Sequence, residues 1–169
     1  NFTEWPPSSS RKVVKSMYRD NTLIPTEAVR LLALGLLSGG PLPYGDWAGE
    51  VRHFIARVMG PSLELVGAPL EVLKVEGLVA PLTADEEDSD PADQRLRITE
   101  EGRQELCRLL ASNLRAPISD FNKLVLALKM RFLHLLPKEQ QSLQAALLVE
   151  LSEREVTRLV DLRGHQAAE

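Results

Sequence analysis

One cysteine and three histidines are all the thiol and imidazole chemistry in this chain of 169 residues. Cys107 has no second cysteine for an internal disulfide, so a reducing, cytoplasmic setting is expected. His53, His134 and His165 lie far apart, none with a cysteine or second histidine at ligand spacing, so neither a metal site nor a cofactor is expected. No glycine-rich phosphate loop follows a strand, and the chain reads as a non-enzyme. Long apolar runs are missing as well. Leu31 to Leu37, with Gly35 inside it, is the longest, far short of the roughly 20 residues that a membrane span needs. The N-terminus has no apolar core behind its charges, so a signal peptide is not expected, and the start at Asn1 reads as that of a trimmed chain.

What is present is ordinary for a globular protein: 44% hydrophobic and 26% charged residues, enough for one domain or a small domain with a helical arm. The net charge of −4 is unevenly spread. Residues 84–93 read ADEEDSDPAD and carry six acids (Asp85, Glu86, Glu87, Asp88, Asp90, Asp93) with no base; without those six the balance of −4 becomes +2. Half of the eight bases in residues 1–82 sit together as Arg11, Lys12, Lys15 and Arg19. Whole-chain charge therefore does not exclude a nucleic-acid partner.

Residues 1–10, NFTEWPPSSS, read as a flexible lead, and RKVVKSMYR over 11–19 has the spacing of one or two turns of amphipathic helix. Pro25-Thr26 starts a helix, with Thr26 as its expected N-cap, that Ser38-Gly39-Gly40 stops; Val29, Leu32, Ala33, Leu36 and Leu37 share one face. After a turn at 41–45, Asp46 is placed to cap a helix to about Met59, with Trp47, Val51, Phe54, Ile55 and Val58 inward. A third helical stretch runs from Ser62 to Glu76, weakened by Gly67 and Pro69. Leu78–Leu82 and the alternating Arg95–Ile98 read as a hairpin joined by the acidic loop. Thr99 caps a long helix, expected to persist to about Arg115, and two further helices cover 121–136 and 138–162.

Helix, helix, helix, hairpin, helix is the layout of a winged helix-turn-helix. The expectation is a mainly α chain (α+β winged helix) with a two-stranded wing and a C-terminal helical arm. It divides into a basic N-terminal segment (1–24), a winged domain (25–116) and the arm (117–169). The arm has more apolar surface than two helices can hide, which predicts a homodimer through Leu124, Leu128, Phe132, Leu135, Leu143, Leu147, Leu151 and Leu159.

Three segments carry a resemblance: RLLALGLLSGGPLPYGD (30–46), LEVLKVEGLV (70–79) and RLRITEEGRQEL (95–106). A fourth, DFNKLVLALKMRFLHLLP (120–137), is similar to the start of a helical arm. In this order and spacing the chain resembles the PadR family of bacterial transcriptional regulators, especially its AphA-like branch. The resemblance covers about 25–162 and implies a homodimer binding double-stranded operator DNA through paired winged helices. Some relatives sense small aromatic molecules between core and arm, and only the resemblance would extend an effector to this chain. The chain also departs from the family. Gly67 stands where a tyrosine is usual, Glu71 and Val72 where basic residues are common, and six carboxylates where wings carry arginine or lysine.

The expected DNA contacts are backbone cations at Arg11, Lys12, Lys15, Arg19, Arg52, Arg57, Arg95 and Arg97, with Ser62, Glu64 and Glu71 as the third-helix side chains able to reach base edges. The plainer alternative for each is a solvated surface. The acidic wing and acidic third helix leave a second function open: a winged helix that no longer binds DNA and serves as a protein-interaction module. The acidic decapeptide reads most simply as a disordered tip held off the DNA; it lacks the glycine turn and terminal glutamate of a calcium loop. Cys107, beside Leu106, Leu109 and Leu110, reads as core, as do Trp47 and Phe54.

Overall fold

A computed structural model describes residues 17–60, 69–88 and 90–166. In chain order these form α1 (Pro25–Ser38), β1 (Leu42–Pro43), α2 (Tyr44–Met59), α3 (Pro69–Val75), β2 (Val79–Pro81), a 3₁₀ turn (Ala84–Asp88), β3 (Arg95–Ile98), α4 (Glu100–Leu110), α5 (Asp120–Phe132), a second 3₁₀ turn (Leu133–Leu135) and α6 (Lys138–Gln166). The fold is mainly helical with one small antiparallel sheet, as an α+β winged helix requires.

The central helix is α1, buried nearly all round from Ala28 to Gly35 rather than along one stripe. Pro25 begins it, its fixed φ suited to a first helical position. Thr26 is not the N-cap; it lies inside the first turn and is not buried. The Glu27 carboxylate instead reaches back 3.2 Å to accept from the Ile24 N–H, supplying half of a capping box. Gly35 is where α5 comes closest: a Cβ there would lie 2.7 Å from the Phe132 ring. Trp47 is fully buried and donates from Nε1 to the Ala33 carbonyl at 2.8 Å.

The sheet has three strands, order β1-β3-β2, not the two expected. Leu42 pairs with Leu96 and Pro43 with Arg95, so part of the anticipated turn at 41–45 is an edge strand. Two residues show no period of two, and proline is tolerated at an edge, so the strand had no sequence signature. Helix α2 accordingly starts at Tyr44, ahead of Asp46. Thr99 does cap α4: its hydroxyl accepts from the Gly102 N–H at 3.0 Å and donates to the Gly77 carbonyl at 2.7 Å. Gly102 packs so tightly that a Cβ would come 2.1 Å from the Leu78 carbonyl oxygen.

Helix α4 stops at Leu110, not near Arg115, because the next residues have other partners. The Asn113 N–H donates to the Asn21 carbonyl at 2.8 Å, and Thr22 and Asn113 form a parallel bridge. The described end of the basic stretch, residues 17–19, is bend and turn rather than helix; Arg11, Lys12 and Lys15 lie outside the described residues. The part of the acidic decapeptide at Ala84–Asp88 forms a 3₁₀ turn. Helix α6 is much longer than a body helix, about 43 Å at 1.5 Å per residue, and Gln144 is the buried residue it contributes. No helix among the described residues is long and apolar enough to cross a membrane.

Candidate nucleic-acid interface

Helix α3 buries Leu70 and Leu73 against the core and turns Glu71, Val72 and Val75 outward, with Glu76 exposed just after it. Ser62, Glu64 and Gly67 lie outside the described residues. Glu71 lies near Tyr44: burial first, and then this carboxylate, raises the Tyr44 phenol, while Arg52 opposes both. Glu76 pairs with Arg30 at 2.8 Å. Glu71 and Arg52 thus both act on Tyr44 at the start of α2.

Lys74 Nζ donates to the buried Gln94 Oε1 at 2.6 Å, fixing α3 against the root of the wing. Along β3 the pattern alternates: Arg95 and Arg97 exposed, Leu96 and Ile98 buried. On α2, Arg52 and Arg57 are exposed, as is His53 between them. Asp85, Asp88, Asp90 and Asp93, between β2 and β3, are also exposed, and the Ala92 carbonyl among them accepts from the Gly45 N–H at 2.9 Å, which ties this stretch to the start of α2. Exposed arginines and exposed carboxylates thus alternate through residues 52–97.

Charged groups also lock the back of the unit. Arg108 meets Glu105 at 2.7 Å and Glu27 at 3.4 Å, and Arg30 meets Glu105 at 3.3 Å, joining α1, α4 and the end of α3. Burial works to raise the Glu105 carboxyl, but Arg108 and Arg30 outweigh it and hold the group below the usual range. At the described N-terminus, Arg19 is exposed, whereas Arg115 lies 4.7 Å over the Tyr18 ring and 2.8 Å from Asp20. Hydrogen bonds from Arg115 and Thr22 hold the Asp20 carboxyl at about 2.

The residues expected at a dimer interface divide into two sets. Leu124, Leu128 and Phe132 are buried in the core of this chain, and Leu135 packs against it. On α6, Leu147 and Leu151 are half-buried, while Leu143 and Leu159 are exposed. Val149, Val156, Val160 and Leu162 extend the exposed apolar surface of that helix. Beside it runs an apolar groove of about 250 Å³, lined among others by Leu114, Pro117, Leu126, Leu148 and Leu151.

One residue at the root of the arm carried no expectation. Lys129 is fully buried, and its Nζ donates to the Leu110 carbonyl at 2.9 Å, to Gln144 Oε1 at 2.7 Å and to the Ser112 carbonyl. Two of these acceptors lie at the C-terminal end of α4, where carbonyls lack helical partners and the dipole favours a cation. Burial pushes the ammonium down to about 8. Its sequence signal is a lysine sharing a face with Val125, Leu128 and Phe132, where charge has no reason to sit unless it is satisfied. Arg131, stacked 5.0 Å over Phe54, was likewise unforeseen.

Cys107 is half-buried against the core, and the three histidines are exposed and apart. Among the described residues, no three of histidine, cysteine, aspartate and glutamate gather as a metal ion would need. No curated protein matches the chain. A family profile does, described as "Putative AphA-like transcriptional regulator", over residues 18–169. That span takes in every described element from α1 to α6, and the chain belongs to this AphA-like transcriptional regulator family.

Proposed function

We propose that the protein is a dimeric, sequence-specific DNA-binding regulator in which two winged helices read two half-sites. The observation that carries the reading is the placement of Arg52, Arg57, Arg95 and Arg97. They are exposed on α2, the helix that precedes α3 in the chain, and on β3, just after the Gln94 that accepts from Lys74 of α3, in a chain of a regulator family. Phosphate neutralisation supplies most of the non-specific affinity of such a domain, and these cations would hold the backbone while α3 enters the major groove. Ser62 and Glu64, and the basic Arg11, Lys12, Lys15 and Arg19, belong to the same proposal as base and backbone contacts. Dimerisation is assigned to α6 through the exposed Leu143 and Leu159 with the half-buried Leu147 and Leu151 beside them, and kinship to the wider PadR family goes with it. The unit then divides as a winged domain carrying a helical arm.

The test is fluorescence anisotropy against a random-sequence duplex library at two salt concentrations, with selection of the retained sequences. The expected result is a palindromic motif whose binding weakens steeply with salt. Replacing Arg95 and Arg97 by alanine should flatten the slope of log K against log salt by about 2, near 0.9 for each phosphate that is no longer neutralised. An unchanged slope would remove the wing strand from the interface. The exposed acidic turn favours one rival, a protein-interaction module. Absence of DNA binding at low salt by a folded dimer is the outcome that selects it.

A further inference from the structure

Within the winged body, the outward face of α3 is unlike the rest of the surface. Val72 is 41% exposed and Val75 is 88% exposed, and no other large hydrophobic residue between Pro25 and Leu110 is exposed among the described residues. The helical phase puts them where a reader would be. Leu70 and Leu73 mark the buried side, and at 100° per residue Val75 points almost directly away from it, with Val72 and Glu71 on its flanks. Of the two carboxylates beside this face, Glu76 is paired with Arg30 at 2.8 Å, while Glu71 lies near Tyr44, as Arg52 does, and keeps its charge. Exposed cations lie on the neighbouring elements: Arg52 acts on Tyr44 at the start of α2, and Arg97 stands out of the strand that follows the Gln94 held by Lys74.

An apolar ridge with cations on the neighbouring elements matches one feature of duplex DNA. The major groove is bordered by phosphates, and its only apolar group is the 5-methyl of thymine. We propose that Val72 and Val75 contact thymine methyl groups, so that each half-site carries A·T pairs opposite the last turn of α3. This rests on the DNA-binding reading and deepens it.

The test takes the duplex selected from the random library and replaces dT by dU one position at a time, which removes the methyl and leaves the Watson–Crick edge intact. For the unaltered protein, binding should weaken about fourfold at each contacted position, the amount that one buried methylene contributes. Val75→Ser should bind the dT and dU duplexes equally. Because Val75 is exposed, its unfolding midpoint should not move, and Val72→Ser supplies a second, independent variant. If the unaltered protein binds a selected motif tightly but is indifferent to every dT-to-dU exchange, the methyl reading is overturned and the regulator reading stands. If no sequence is retained at low salt, both fall together.

Discussion

Lys129 shows how much one side chain decides. A buried ammonium is costly unless its protons are all taken, and here two carbonyls at the end of α4 and one amide oxygen from α6 take them. Lys129→Met keeps the length and removes the charge, but leaves three buried acceptors without their donor. We expect a net loss of roughly 2–4 kcal/mol in urea unfolding, since each orphaned group costs about 1–3 kcal/mol and the relieved charge returns part of it. The pH dependence is a separate signature. The folded-state value of about 8 lies below the ordinary 10.5, so between these values the unfolded chain binds the proton that the folded chain releases. Stability from this group is therefore fully present above about pH 10.5 and is lost as pH falls through 8, a span of about 3 kcal/mol at 1.36 kcal/mol per unit. The stability difference between the unaltered protein and Lys129→Met should widen from pH 7.5 to pH 10. Parallel curves would mean that the ammonium does not sense its burial. Asp20 has the opposite position, exposed and held at about 2, so its contribution is present above the ordinary carboxyl value and lost as pH falls through 2.

At the scale of elements, close approaches at glycine set the packing of α1 and α4. Gly35→Ala would improve helix propensity by about 1 kcal/mol in isolation, yet its Cβ meets the Phe132 ring at 2.7 Å. Ring movement can relieve part of that clash, so a loss of about 1–3 kcal/mol is expected. Gly102→Ala meets a backbone carbonyl oxygen at 2.1 Å, which cannot swing away without shifting β2 or α4. It should be the more damaging of the two, with a lower midpoint in thermal unfolding; equal midpoints would show that the α4–β2 contact yields as readily as a side chain. These elements were legible to different degrees. Thr99 with two glutamates behind it marked the start of α4, and Gly39 and Gly77 marked helix ends, because capping and turn chemistry are local. The end of α4 was not legible, since Ser112 and Asn113 are drawn off by Lys129 and by the 21–22 segment, contacts remote in sequence. β1 was invisible for the same reason: what makes a strand of Leu42 and Pro43 is β3 lying beside them. The exposed arginines of β3 followed from alternation alone, whereas the approach of Glu71 to Tyr44 needed two elements to be brought together.

At the scale of the molecule, the body and the arm differ in how their apolar residues are used. Leu124, Leu128 and Phe132 complete a core with α1 and α2, so the apolar density of α5 is used within this chain. Helix α6 is the reverse case. Val156 and Leu159, one turn apart, are 60% and 52% exposed, and a soluble monomer seldom leaves such a stripe open along a helix of this length. If α6 pairs two copies, Val156→Asp together with Leu159→Asp should give monomers by sedimentation. The body should keep its unfolding midpoint, because neither side chain belongs to the core. DNA binding then supplies an internal control. A monomer retains its cations and α3, so its affinity for a single half-site should be unchanged, while its affinity for the palindrome should fall by the roughly 10²–10⁴-fold that a second tethered site confers. A variant that still sediments as a dimer places the interface away from this stripe. A monomer that loses the single half-site as well would show that the arm shapes the reading face and does more than set the separation of two independent readers.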